Sequence, residues 1–186
     1  MIVIETEIFY PKNKMAWREW LQKNHLSKES IWLLFYKKAT NTPTLSWSEA
    51  VDEALCFGWI DSIRKTRDSE SSLQFFSKRK AKSTWSRVNK AKIEVLTEKK
   101  FMQKAGLESV EIAKKNNSWT ILDEVEALII PKDLELALLK ITNGINHFLS
   151  LSKSVKKAML HRLVFAKREE TRLKRIEEII EAVAKK

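Results

Sequence analysis

Charge and hydrogen-bonding groups converge once in this chain, in the stretch Phe75 to Asn89, which reads FFSKRKAKSTWSRVN. Lys78, Arg79, Lys80 and Lys82 precede a run of hydroxyls, Ser83, Thr84 and Ser86, that reads as a helix start near Ser83 or Thr84. Free backbone N–H groups and the positive end of the helix dipole favour an anion there. Trp85 within the stretch and Trp59 upstream offer rings on which a base or another planar group would stack. The plainer reading is a solvated basic turn, with both indoles in the core, since charge runs alone say little about binding.

Asp61 leads into Arg64, Lys65 and Arg67. An acid beside so much positive charge stays ionised, so a general-base role needs burial or a ligand to raise its pKa. Orienting one of those cations is the simpler role, because structural ion pairs produce the same neighbourhood. Cys56, in the run Ala-Leu-Cys-Phe-Gly-Trp, falls in the last turn of a helix, the unfavourable pole for a thiolate, and reads as a buried structural cysteine rather than a nucleophile.

Other chemistries find no support. The three glycines, Gly58, Gly106 and Gly144, cannot build a P-loop, a dinucleotide GxGxxG turn or a nucleophile elbow. His25, His147 and His161 lack carboxylates or cysteines at metal-ligand spacing, so neither a metal nor any other cofactor is expected. Arg168, Arg172 and Arg175, spaced i, i+4, i+7, either extend a binding surface or form the solvent face of a terminal helix, and the second reading is preferred.

The chain of 186 residues carries a net charge of +11, unevenly spread. Ser62 to Lys92 holds ten basic residues against Asp68 and Glu70, and Lys153 to Arg175 holds nine against Glu169 and Glu170, so the remainder is mildly acidic. With 44% hydrophobic residues and seven Trp, the sequence has ample material for a packed interior. One cysteine allows no internal disulfide, which suits a reducing compartment. The longest uncharged run, Ile141 to Ser152, is too short and too polar to span a bilayer. MIVIETEIFY has no basic region before its apolar residues and does not read as an export signal, so a cytoplasmic location is expected.

These side chains must be positioned by an α+β fold, a small antiparallel or mixed sheet packed against helices, with an all-helical C-terminal part. Residues 1–125 read as the core domain and 126–186 as the helical subdomain. Glu7 to Tyr10 is a short strand, and Asn13 caps a helix to Asn24 with Trp17, Trp20 and Leu21 on one face. SIWLLFYKK, Ser30 to Lys38, is a strand buried on both faces. Ser46-Trp47-Ser48-Glu49 is a capping box, and Gly58 ends its helix in a left-handed conformation. Trp59 to Thr66 and Leu73 to Phe76 form a hairpin around Asp68 to Ser71. A helix from Ser83 or Thr84 carries Trp85, Val88, Ile93 and Leu96 inward, and the next, from about Gly106 to Asn117, carries Leu107, Val110 and Ala113. Trp119 to Ile130 is an irregular crossover, Pro131 opens a run of short helices from a first-turn position, and Arg168 to Ala184 is the last helix.

The segments WLLFYKK, EAVDEALCFGWIDS, FSKRKAKSTWSRVNK, GLESVEIAKKNNSW and AKREETRLKRIEEII, in this order and spacing, resemble the YdeI/OmpD-associated family, often labelled bacteriocin-protection proteins. The resemblance runs from Trp17 to the last helix, and its most specific part combines Ala54 to Asp61 with Lys82 to Ser86 and Asn89. The chain departs from the family pattern at Ala81, where Pro is usual, and at Thr84, where Asn is common. The resemblance implies a cytoplasmic bacterial protein linked to envelope stress and tolerance of toxic peptides. It also implies that Trp59, Asp61, Arg79, Lys82, Ser83, Trp85, Ser86 and Asn89 act together.

The expected function is therefore a binding protein with a basic, Trp-lined site, made of these residues and Arg64, for an anionic or phosphate-bearing small molecule. Nucleic acid would bind weakly and without sequence preference, because no base-reading set of side chains accompanies the charge. Two alternatives stay open: an enzyme using Asp61 or Cys56 at the same site, and an interaction protein whose basic surface meets an acidic partner or an anionic membrane.

Overall fold

The computed structural model describes residues 7–184; residues 1–6, where part of the expected absence of an export signal was read, lie outside them. The chain divides into two compact units, one of residues 1–83 and 88–116, the other of residues 84–87 and 117–186.

The first unit is built on a four-stranded mixed sheet in the order β1-β2-β4-β3. Its strands are β1 (Ile8–Phe9), β2 (Ser30–Tyr36), β3 (Trp59–Thr66) and β4 (Ser71–Lys78). The apolar run of β2 lies between β1, to which it is parallel, and β4, to which it is antiparallel. Ile31, Leu33, Leu34 and Phe35 are buried, as a strand covered on both sides in the sheet plane and on at least one face should be. The β3–β4 hairpin is antiparallel, and its register slips between Asp61 and Arg64, leaving Ser62 and Ile63 opposite Phe75 in a bulge. Its turn is closed by Asp68, whose carboxylate accepts the backbone N–H groups of Glu70 and Ser71.

Helix α1 (Lys14–Asn24) starts where the Asn13 side chain accepts the Ala16 N–H at 2.9 Å, and it lays Trp17 and Leu21 on the sheet. Trp17 meets Phe76 edge-on at 5.5 Å. Helix α2 (Trp47–Cys56) opens with the reciprocal Ser46/Glu49 box, and the Ser46 N–H holds the Glu49 carboxyl below the usual range. At the other end Gly58 takes φ +73, the left-handed conformation a helix stop needs. Gly106, inside helix α4 (Lys104–Lys115), has a different reason: a Cβ there would lie 2.3 Å from the Cys56 carbonyl oxygen. The Gln103 N–H donates to that same carbonyl at 2.9 Å, which fixes α4 against the end of α2.

Three expectations need correction. Helix α3 spans Arg87–Glu98, so Ser83 to Ser86 precede it in an irregular stretch rather than opening it. Trp85 is 1% exposed and packs on Trp119 at 5.0 Å within the second unit, and this burial outweighs the local hydroxyl signal for a cap. Val88 and Leu107, expected inward, are 61% and 44% exposed, while Ile93, Leu96, Val110 and Ala113 are buried. Pro131 occupies the cap position before its helix rather than the first turn.

The second unit consists of α5 (Asp123–Glu126), which interrupts the expected crossover, α6 (Lys132–Leu138), α7 (Gly144–Ser150), α8 (Lys153–Val164) and α9 (Glu169–Ala184). Leu134, Leu138, Phe148, Leu160, Leu163, Ile176, Ile179 and Val183 form its core. Arg172 forks onto Asp133, its NH2 group donating at 2.9 Å, and also donates to the Leu163 carbonyl. That pairing draws the Asp133 carboxyl below its usual range. Arg162 pairs with Glu178 and Lys157 with Glu126, so much of the second basic cluster joins helices to one another.

Candidate functional site

At the end of the β3–β4 hairpin the first unit carries a cleft of about 420 Å³. Lys78, Arg79 and Lys80 form one wall, His25 and Leu26 another, and Gly58, Ser109 and Ile112 lie across from them. The hairpin delivers the cations because the chain keeps its line just past the last β3–β4 pair: Lys78 is opposite Trp59, and the Arg79 N–H donates to the Gly58 carbonyl at 2.9 Å. Gly58 therefore acts twice, ending α2 and supplying the acceptor that carries Arg79 into the wall.

Arg79 is the electrostatic centre of the site. Burial pulls its guanidinium down to about 10, and the negative charge of Asp61 acts in the opposite sense. An arginine stays protonated at neutral pH, so the wall of the cleft holds a largely buried positive charge beside Asp61. Asp61 is fixed by the Trp47 indole N–H at 2.9 Å and the buried Gln74 amide at 3.3 Å. Two donors on one oxygen hold the carboxylate still, which suits a charge that orients its neighbours.

The neighbouring cations differ. Lys78 is engaged by the Leu26 carbonyl at 2.9 Å and by Glu29 at 2.6 Å, so it ties β4 to the segment before β2. Lys80 is exposed at the rim. Glu108 contributes a rim carboxylate, with Lys104 at 3.9 Å beside it. The Ser109 hydroxyl donates to the Gly106 carbonyl at 2.7 Å and keeps its lone pairs for a donor.

The residues singled out from the sequence are only partly gathered. Arg79 and Asp61 interact through their charges, as above. Trp59 is 0% exposed, with Trp20 edge-on at 5.7 Å, and has no face for a ligand. Its indole N–H donates to the His25 carbonyl at 3.3 Å, so it supports the wall from behind. Trp85, sealed against Trp119, and Ser86 belong to the second unit. The Trp-lined character expected of the site is thus replaced by a wall of cations with His25, Leu26 and Ile112, because both indoles are large enough to be taken by the cores. Arg64 donates to the Ser72 hydroxyl at 3.0 Å on exposed β3 and does not line the cleft. Lys82 is exposed in the turn after Lys80, the Ser83 N–H donates to the Lys80 carbonyl, and Asn89 is half-buried in the first turns of α3.

His25 and Ser109 escaped sequence reasoning. His25 sits at the cap of α1 with its Nδ1 2.8 Å from the Leu21 carbonyl oxygen and its ring 5.1 Å from that of Phe57. Nothing in the local sequence of either residue marks it, since the cleft brings together positions more than eighty residues apart. Glu53 also went unnoticed, although a charge among the apolar positions of α2 was its signal. It is 1% exposed and receives Arg18 at 2.6 Å and Lys14 at 3.2 Å.

Cys56 is fully buried, and burial, with the charge of Glu53 adding to it, pushes its thiol up to about 11. A thiol so shifted is almost wholly protonated at neutral pH and is a poor nucleophile. Among the described residues no group of His, Cys, Asp and Glu is placed to hold a metal ion, and no helix is long and apolar enough to cross a membrane.

Comparison with known proteins bears on both units. No curated protein and no solved structure matches the chain. Two family models do: a domain of unknown function (DUF8412) over residues 9–109, and "Bacteriocin-protection, YdeI or OmpD-Associated" over residues 127–186. The segments around Cys56 to Asp61 and Lys82 to Asn89 lie in the first of these, and AKREETRLKRIEEII lies in the second. The chain belongs to the DUF8412 family, whose model takes in more than half of it, and its residues 127–186 match the YdeI/OmpD-associated, bacteriocin-protection model, which supports that type for its C-terminal helices.

Proposed function

We propose that this chain is a binding protein whose first unit takes an anionic, phosphate-bearing small molecule in the cleft walled by Lys78, Arg79 and Lys80. The observation that carries the reading is Arg79: a guanidinium set in the wall of an open cleft, with burial outweighing the carboxylate beside it. A bound phosphate oxygen would accept from that guanidinium and from Lys80. Leu26 and Ile112 leave room for an apolar portion of the ligand. The single buried cysteine and the family match suit a cytoplasmic role in envelope stress or tolerance of bacteriocins.

Thermal-shift titration with a panel of nucleotides, sugar phosphates and inorganic phosphate tests the proposal. A ligand present at about 100 times its Kd stabilises the protein by about 2.7 kcal/mol. Arg79→Ala should abolish that rise in melting temperature while the protein still unfolds in a single cooperative transition. A panel in which no member shifts the wild-type transition, or shifts that persist in Arg79→Ala, would sink it.

A further inference from the structure

Among the described residues the two faces of the first unit's sheet differ in burial. Ile31, Leu33 and Phe76 are fully buried on the side that carries Trp17. Alternation along the strands places Trp32 of β2 and Phe75 of β4 on the opposite side, where they are direct partners in register. Both are half-buried, and their rings meet edge-on at 5.0 Å. Leu34 and Leu73, also direct partners and nearly buried, form the floor beside them. The margins are open: Ile8, paired with Trp32, is 52% exposed, and Ile63, in the bulge opposite Phe75, is 64% exposed.

One cation borders this aromatic pair, and two more lie at the end of the same strand. The Lys65 ammonium lies 4.2 Å from the centroid of the Trp32 ring. Lys37 and Lys38, both exposed, follow directly on β2 at the end of the sheet where Tyr36 pairs with Ser71. Aromatic rings on an open sheet face with cations alongside are what an unpaired nucleic-acid strand requires, because its bases present free π-faces and its phosphates demand positive charge. A duplex keeps its bases stacked inside and would use only the charge.

We propose that this face binds single-stranded nucleic acid without sequence preference, with bases on Trp32 and Phe75 and phosphates at Lys65, Lys37 and Lys38. Stacking of a nucleobase outweighs an exposed cation–π contact, so a base can take the Trp32 ring while Lys65 turns to a phosphate. The site is distinct from the Arg79 cleft and does not depend on it.

Fluorescence anisotropy with a labelled oligothymidylate of about 15 nucleotides tests the assignment. Wild-type affinity should fall steeply between about 50 mM and about 200 mM salt. Trp32→Leu should weaken binding about tenfold, as loss of one stacked base predicts, and Trp32→Phe, which keeps a ring, should retain most of it. Lys65→Glu should weaken binding and flatten the salt dependence, whereas Arg162→Gln, in the second unit, should leave both unchanged. If Trp32→Leu fails to fold by circular dichroism, Phe75→Leu and Lys65→Glu carry the test. Absence of wild-type binding, equal binding of a duplex of the same length, or wild-type affinity in the folded aromatic and Lys65 variants would each overturn the proposal.

Discussion

Single residues in this protein are decided by burial more than by their neighbours in sequence. Cys56 shows the effect with a sign that can be measured. Its folded thiol titrates at about 11, above its unfolded value of 9.0, so the unfolded chain loses its proton first as pH rises. The contribution of this thiol to native stability should be constant below the unfolded value and decline through the interval between the two, and Cys56→Ala should remove that decline in urea melts recorded across it. The same burial predicts that iodoacetamide labels the native thiol far more slowly than the unfolded one at neutral pH. Equal rates would show the thiol to be accessible and reopen its use as a nucleophile. Trp59 and Trp85 obey the same rule: as residues they offer stacking surfaces, but large apolar rings next to a core are drawn into it.

Elements were legible where local chemistry alone decides them. Asn13, the Ser46/Glu49 box and Gly58 each mark a helix end through their own side chain or backbone freedom, and each stands where the sequence indicates. The start of α3 was not legible, because Trp119, more than thirty residues away, takes Trp85 out of helical register. Of the candidate site, the basic stretch at Lys78 to Lys80 could be read, while His25 and Ser109 could not, since only the fold brings α1 and α4 beside it. Ser46→Ala should cost about 1 kcal/mol, the usual value of a lost cap, read as a fall in denaturation midpoint. Gly106→Ala should cost several times more, because its methyl group would meet the Cys56 carbonyl and force α4 off the end of α2. In the second unit, Asp133→Asn should remove about 1 kcal/mol near neutral pH, the upper range for a partly exposed ion pair. Asp133 titrates below its unfolded value, so that contribution is present above about pH 4 and fades as pH falls further.

For the whole molecule, the charge of +11 does not act as one field. In the second unit Arg172, Arg162 and Lys157 face Asp133, Glu178 and Glu126, whereas Lys80 and Lys82 of the first unit stand exposed. Lys80→Glu with Lys82→Glu should therefore elute from a heparin column at distinctly lower salt, and Arg162→Gln should shift elution little; the opposite ranking would place the working charge among the C-terminal helices. The path of the chain has a further consequence for dissection of the gene. It enters the second unit at 84, leaves at 88 and re-enters at 117, so no single cut yields both units whole. A fragment beginning at codon 117 would lack the indole that rests on Trp119, and a short synthetic peptide spanning Trp85, added from outside, should be captured by the hollow it leaves.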